Sequence, residues 1–189
     1  MPRDTRRLIL DTALRLFATG GYHGTSMRVI AREAGISPGL SYKYFESKEA
    51  ILREIMREHA GILQAMPPPA SLVHASLSEI VRTIAHTFSG LVRDNKEYFR
   101  LFWNLMLQAE VSAGPRDEIK DMLKAFRANT EEVMSLVRPD YSPARVNGIM
   151  STVLGFTINY LIDEEQFPLT DLEDYLLWEL ARERAGDGD

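Results

Sequence analysis

Apolar residues recur along most of this 189-residue chain at intervals of three and four, which is the period of an amphipathic α-helix. No segment of useful length alternates apolar and polar residues with the period of two that half-buried strands show. Glycine and proline clusters separate the helical segments. The pattern predicts an all-α fold of about nine helices, the first at roughly 4–19 and the last two at about 143–163 and 170–184.

A helix-turn-helix pattern lies in the first quarter of the chain. Either Thr25 or Ser26 is suited to cap a short first helix, and Gly35 fits the left-handed position just past its end. Ser37 and Pro38 are typical of the cap and first turn of the next helix. Because the second helix of such a motif lies in the DNA major groove, the pattern predicts a DNA-binding head.

The side chains of that second helix favour phosphate contacts over base contacts. Gly39 permits a close approach to DNA, and Leu40 offers only an apolar contact such as one to a thymine methyl. Lys43 is the one long donor, while the hydroxyls of Tyr42 and Tyr44 suit phosphate oxygens. The alternative for each aromatic residue is a place in the core, which we expect for Phe45 and which stays open for one of the two tyrosines.

The charge is divided along the chain in a way that agrees with such a head. The whole chain has a net charge of −5, but residues 1–60 hold 10 Lys and Arg against 7 Asp and Glu, and residues 61–189 hold 12 against 20. The first part is therefore basic and the second acidic, although an excess of this size also arises by chance. We expect phosphate to meet the N-terminal part only.

Residues 8–52 resemble the N-terminal domain of the TetR (tetracycline repressor-like) family of bacterial regulators. The resemblance implies contact with an operator, usually in repression, by two heads of a homodimer. One departure is the order Leu40-Ser41, because the family often has a small polar residue and then Leu before the tyrosine. The matching segments are Leu16-Phe17, Gly21-Tyr22, Gly24-Thr25-Ser26, Ile30-Ala31, Ala34-Gly35-Ile36-Ser37, Gly39, Tyr42-Lys43-Tyr44-Phe45 and Ser47-Lys48-Glu49 with Leu52. The DNA contacts that the resemblance implies are Ser26, Arg28, Ser37, Pro38, Gly39, Leu40, Tyr42, Tyr44 and Lys48, to which the chemistry of the helix adds Lys43.

The remaining chain divides at three consecutive prolines, Pro67–Pro69. We expect a DNA-binding domain over residues 1–48, a connecting fourth helix over 47–66, and a helical effector-binding and dimerisation domain over 67–189. The resemblance implies that the last two helices form the dimer interface, with small residues on the first and leucines on the second. The expected interface residues are Gly148, Thr152, Gly155, Leu172, Leu176 and Leu180. The alternative is that both stripes pack within one subunit.

The resemblance also implies a pocket among the middle helices for a small, largely hydrophobic effector. We expect the segment 98–107 to form a helix that is buried on all sides at the centre of this second region. Packing in an ordinary core is the alternative for every residue of the pocket. The expected pocket residues are His86, Phe88, Phe99, Phe102, Trp103, Met106, Met122, Phe126, Phe156 and Asn159, with Asn104 and Gln108 as further polar groups.

Other classes of function find little support in the chain. The four histidines, at 23, 59, 74 and 86, have no metal-ligand spacing, and no phosphate-binding glycine loop or nucleophile elbow occurs. The chain has no cysteine and no apolar run long enough to cross a membrane. We therefore expect no enzyme, no cofactor, no metal and a cytoplasmic location. The open alternative is a DNA-binding regulator that a protein partner controls or that has no effector.

Overall fold

The structure is a computed structural model that describes residues 2–59, 61–62, 66–67, 69–107, 113–137 and 141–186. Within these residues all regular structure is helical, with nine α-helices and a short 3-10 helix at Pro69–Leu72, so the predicted all-α class is confirmed. None of the described helices is both long and apolar enough to cross a membrane. The α-helices are α1 (Pro2–Gly20), α2 (Met27–Glu33), α3 (Pro38–Tyr44), α4 (Lys48–His59), α5 (Leu77–Asp94), α6 (Lys96–Met106), α7 (Ala113–Val137), α8 (Pro143–Ile162) and α9 (Thr170–Gly186).

The helix boundaries agree with the sequence pattern except at the connecting helix. α8 and α9 lie within two residues of their predicted ends, but α4 ends at His59 rather than at residue 66. The glycine at position 61 follows this end, and glycine is a poor helix former because it loses the most backbone entropy. At this end of the helix, the His59 Nδ1 is hydrogen-bonded to the Ile55 carbonyl oxygen at 2.8 Å.

The contacts divide the chain into two compact units. The first unit consists of Met1–Gly61 and Asn95–Met122, and the second of Ile62–Asp94 and Leu123–Asp189. This division assigns α6 to the N-terminal unit, whereas the sequence pattern placed it in the second region. The functional division of the chain at residues 48 and 67 stays a prediction.

The core of the first unit is formed by α1, α4 and α6. α6 packs on α1, where the Asn104 Nδ2 donates to the Ala18 carbonyl at 3.0 Å. The expectation that this segment is buried on all sides is wrong at its C-terminal end, because Met106 is exposed and Leu107 is 75% exposed. The Tyr98 ring of α6 stacks on the His59 ring of α4 with centres 4.3 Å apart. The fully buried residues of this unit include Ile9, Phe17, Ile30, Ile51, Leu52, Ile55, Tyr98, Leu101, Phe102 and Leu105.

The second unit is built around the packing of α5 against α9. The buried Ser89 hydroxyl donates to the Leu169 carbonyl at 3.4 Å, and Arg82 lies 3.7 Å from Glu173 at the surface. The buried residues of α5 recur at helical spacing on one face, so the helix presents an apolar stripe to its neighbours. Those residues are Ile80, Val81, Ala85, Phe88, Ser89 and Val92.

Candidate nucleic-acid interface and effector cavity

The start of α2 is fixed by a serine cap. Ser26 is extended at φ −115° and ψ 160°, and its Oγ accepts a hydrogen bond from the Val29 amide at 3.3 Å. Thr25 is buried, and its hydroxyl instead donates to the Gly21 carbonyl at 2.9 Å. The structure therefore decides between the two candidate caps in favour of Ser26, which is exposed at the positive end of the helix.

A glycine turn then separates α2 from α3. Gly35 has φ +66°, and its amide donates to the Arg32 carbonyl at 3.1 Å, while the Ile36 amide donates to the Ala31 carbonyl at 3.0 Å. This pair of bonds is the Schellman motif, which satisfies the last carbonyls of a helix and requires a left-handed residue. The predicted left-handed role of Gly35 is confirmed.

α3 begins with a second capped turn that leaves its leading end on the surface. The Ser37 Oγ accepts from the Leu40 amide at 3.2 Å, and Pro38 occupies the first turn as predicted. The buried Ser41 hydroxyl donates to the Pro38 carbonyl at 2.8 Å. Ser41 thus supports the turn from inside, whereas Pro38 and Gly39 face solvent.

Nearly all the side chains predicted to contact DNA are accessible on this helix pair. Tyr42 is 53% exposed and Tyr44 is half-buried, while Phe45 is buried at 4%, which confirms its place in the core. The side chains of Arg28 and Lys43 are exposed, and neither makes a hydrogen bond or an ion pair with another residue in the described part of the chain. The exposed members of the predicted set are Ser26, Arg28, Ser37, Pro38, Gly39, Tyr42 and Lys43, with Leu40, Tyr44 and Lys48 half-buried.

Lys48 differs from the other predicted contacts because its ammonium group already has protein partners. Its Nζ donates to the carbonyls of Tyr22 at 2.9 Å and Thr25 at 3.1 Å, with a longer bond to the His23 carbonyl at 3.5 Å. The ammonium also lies 4.4 Å from the centre of the Tyr22 ring. Lys48 therefore holds the turn between α1 and α2, and its contact with DNA stays a prediction.

The second unit contains a cavity of about 440 Å³ that is partly open to solvent. Its volume lies within the range of small-molecule sites, and most of its lining is apolar. The rings of Phe88 and Phe126 stack with their centres 6.2 Å apart in its wall. The lining residues are Met66, Pro67, Leu77, Ile80, Val81, Ile84, Ala85, Phe88, Phe126, Asn129, Thr130, Val133, Met134, Ala144, Arg145, Gly148, Ile149, Thr152, Val153, Leu172, Tyr175, Leu176 and Glu179.

Only two of the residues expected in the pocket, Phe88 and Phe126, line this cavity. Phe156 packs against Tyr175 with ring centres 5.8 Å apart, and His86 and Asn159 are exposed. The other expected residues belong to the first unit, where α6 supplies core rather than cavity, and Gln108 lies outside the described residues. Those first-unit residues are Phe99, Phe102, Trp103, Met106 and Met122, together with Asn104.

Several residues expected in the dimer interface line the cavity instead. Gly148, Thr152, Leu172 and Leu176 all belong to its wall, and Leu172 is only 1% exposed within a single chain. Gly155 is half-buried on α8, and the side chain of Leu180 lies outside the described part. Of these four, only Leu172 is buried within one chain, whereas Gly148 is exposed. The dimer interface and the alternative of packing within one subunit therefore both stay predictions.

The sequence pattern missed the polar residues of the cavity. Asn129 lies in the α7 stripe between Phe126 and Val133, and its Oδ1 is buried without a hydrogen-bond partner. An asparagine on the apolar face of a helix is the signal that points to it. Among the described residues, no group of three His, Cys, Asp or Glu side chains lies close enough to hold a metal ion.

Comparison with known proteins points to one family for the N-terminal part of the chain. The family model described as bacterial regulatory proteins, tetR family, matches residues 9–55, which span α1 to α4. In these residues the chain is similar to the TetR family. Proteins of this family are transcriptional regulators rather than enzymes.

The TetR-family likeness extends beyond the head in both sequence and fold. The fatty acid metabolism regulator protein of Bacillus subtilis is 31% identical over 119 residues, which are 62% of this chain and 60% of that protein. The first three curated relatives are matched over only 19 to 60% of their own length.

Solved structures of TetR-family proteins share the fold of nearly the whole chain. A regulator from Aquifex aeolicus has a TM-score of 0.70 at 23% identity and covers 94% of this chain and 98% of its own. FadR from Bacillus subtilis, solved in complex with stearoyl-CoA, has a TM-score of 0.68 at 19% identity and covers 90% of this chain and 95% of its own. At these identities the likeness establishes the fold alone.

Proposed function

We propose that this chain is a homodimeric, ligand-responsive regulator that binds a palindromic operator and leaves it when a small, largely hydrophobic effector occupies the cavity. The exposed face of α2 and α3 carries this proposal. Two capped helices joined by a Schellman turn present Arg28, Tyr42 and Lys43 to solvent. A basic and hydroxyl-bearing helix face of this size fits a major groove.

The chemistry of the face divides its contacts into two kinds. Arg28 and the Ser26 end of α2 are suited to phosphate, as are the tyrosine hydroxyls, so they position the head without reading bases. Lys43, Leu40 and Gly39 are the groups suited to base edges. One head therefore makes few sequence-specific contacts, and a second head on the next turn of DNA is needed for a useful specificity.

Exposed apolar residues on α8 and α9 support a homodimer. Ile162 is 75% exposed and Trp178 is 54% exposed, while Tyr175 also reaches the surface. The rings of Tyr175 and Trp178 are neighbours, with centres 5.8 Å apart, and large apolar side chains at the surface favour burial against another protein. A second copy of the same chain would both bury these apolar side chains and supply the second head.

The cavity supports the effector. A partly open, apolar space of about 440 Å³ leaves apolar surface in contact with water, which a ligand would cover, and it fits a small molecule better than a peptide. A ligand that binds one conformation more tightly shifts the population towards it, and by linkage the operator must then weaken ligand binding to the same extent.

The DNA-binding part is tested by selecting operators from a random 40-base-pair library with the purified chain. We expect palindromes whose half-sites are centred one or more turns of about 10.5 base pairs apart. Fluorescence anisotropy with the selected DNA should show loss of affinity for Arg28→Met and for Lys43→Met. The control is Lys120→Met on α7, where Lys120 pairs with Asp117 at the surface. Enrichment of no sequence, or equal binding by all variants, would refute the proposal.

The regulatory part is tested by repeating the anisotropy titration with small apolar compounds. Release of the operator together with weaker binding of the compound to the DNA complex supports the effector. A compound that fills the cavity and leaves operator affinity unchanged contradicts it. Thermal stabilisation by none of a broad library, while DNA binding is retained, would favour control by a protein partner instead.

A further inference from the structure

The polar groups of the cavity restrict the chemistry of its ligand. The lining contains one positive residue, Arg145, and one negative residue, Glu179, so its formal charge sums to zero. Transfer of a charged group into such a space carries a large desolvation cost unless a partner of opposite charge is free to meet it. The surroundings therefore favour an uncharged ligand.

Asn129 supplies the strongest polar signal in the wall. Its Oδ1 is buried and has no hydrogen-bond partner among the described residues. Buried carbonyl oxygens in native proteins are rarely left in this state, because each costs about 1–3 kcal/mol. Because a water-sized probe does not touch the Oδ1, a ligand in the cavity reaches it only after the side chain turns, and the Oδ1 gives up no hydrogen bond in doing so.

The other uncharged polar residues of the lining are three hydroxyl-bearing ones, Thr130, Thr152 and Tyr175. The Thr130 hydroxyl donates to the Phe126 carbonyl at 2.8 Å, so its proton is already used within α7. The volume of about 440 Å³ is that of a small-molecule site. We infer that the effector of the proposed regulator is an uncharged, mostly apolar molecule with a single hydroxyl-type group that hydrogen-bonds to Asn129.

This inference rests on the proposed function and separates this chain from its relative that was solved with stearoyl-CoA. The coenzyme A moiety carries several phosphate charges, which one arginine balanced by one glutamate does not neutralise. A hydroxyl both donates and accepts, so it pairs with either end of the Asn129 amide.

Four probes that differ chiefly in their polar group test the inference by calorimetry on the full chain below micellar concentrations. They are 1-decanol, decanoate, decyltrimethylammonium and stearoyl-CoA. We expect 1-decanol to bind at least tenfold more tightly than either charged decyl compound, and stearoyl-CoA not to bind in the cavity. Equal or tighter binding of decanoate, of the ammonium compound or of stearoyl-CoA would overturn the inference and leave the proposed effector function intact.

Variants of Asn129 locate the polar contact. Asn129→Leu should weaken 1-decanol about 3- to 10-fold while it stabilises the free protein, because it removes an unpaired carbonyl. Asn129→Asp, which keeps the shape, should reverse the preference towards decyltrimethylammonium at pH 8. The control, Glu132→Gln on the exposed side of α7, should change neither preference. Unaltered selectivity in both Asn129 variants would refute the assignment.

A complete absence of binding has a separate meaning. If none of the four probes binds, the inference and the effector part of the proposed function both fail. Operator binding, measured independently by anisotropy, then decides whether the DNA-binding part still holds.

Discussion

Lys48 offers a sharp test because two physical roles predict different results for the same substitution. Lys48→Met keeps the length and most of the apolar stem but removes the ammonium group. The two shorter hydrogen bonds, to the Tyr22 and Thr25 carbonyls, are then lost together with the cation–π contact. Because the side chain is half-buried, we assign about 1 kcal/mol to each bond and expect a loss of about 2 kcal/mol in the free energy of unfolding of the first unit.

Tryptophan fluorescence during urea unfolding measures this loss. The chain has two tryptophans, and Trp103 belongs to the first unit, so a Trp178→Phe background makes the emission specific for that unit. Lys48→Arg in the same background retains the positive charge and should recover part of the stability. An unfolding free energy unchanged by Lys48→Met would refute the role of this residue as a clamp on the turn.

The salt dependence of operator binding separates the clamp from a phosphate contact. The plot of log K against log salt has a negative slope, and loss of one phosphate contact reduces the magnitude of that slope by about 0.9. Arg28→Met should show this decrease for each head with an unchanged stability, because Arg28 is exposed and has no partner in the described residues. Lys48→Met should weaken binding with nearly the wild-type slope. If the magnitude of the slope decreased as much in Lys48→Met as in Arg28→Met, Lys48 would be shown to contact phosphate.

Three further predictions concern the head and its stability. Gly35→Ala should destabilise the chain by about 1 kcal/mol because Gly35 has φ +66°. Gly39→Ala should leave the stability equal or higher and still weaken DNA binding, because the added methyl group prevents a close approach to DNA. Urea unfolding compares the stability of the two variants, and anisotropy compares their DNA binding. Ser37→Ala should cost about 1 kcal/mol through the lost cap of α3, and a Ser37→Asp variant of wild-type stability checks the cause. A hydrogen bond from Arg57, together with one from Arg6, holds the pKa of the Glu54 carboxyl below its ordinary value, so its contribution is present above a pH of about 4.3 and is lost as the pH falls through the lower folded-state pKa. Glu54→Gln should therefore reduce the loss of stability between pH 7 and pH 3, and an identical loss in both proteins would contradict this.

Local rules made the head predictable from its residues. The caps at Ser26 and Ser37, the left-handed Gly35 and the first-turn Pro38 each depend on neighbours within four positions. Backbone hydrogen bonding over so short a distance is set by residue type, so the order of amino acids determined these turns. For the same reason the pattern located α8 and α9 within two residues of their ends.

Tertiary structure decided what each apolar face contacts, because periodicity gives the direction of a face but not its partner. The apolar residues of α6 suggested the wall of a cavity, but α6 packs on α1, and its buried side chains belong to the core of the first unit. The Lys48 ammonium bonds to carbonyls more than twenty positions away. Gly148 and Leu172, which the sequence pattern assigned to a dimer interface, both line the cavity within one chain. The sequence by itself therefore determined the helices and the capped, exposed pair α2 and α3. The tertiary structure decided which side chains surround the cavity, because contacts between distant segments depend on how the helices pack.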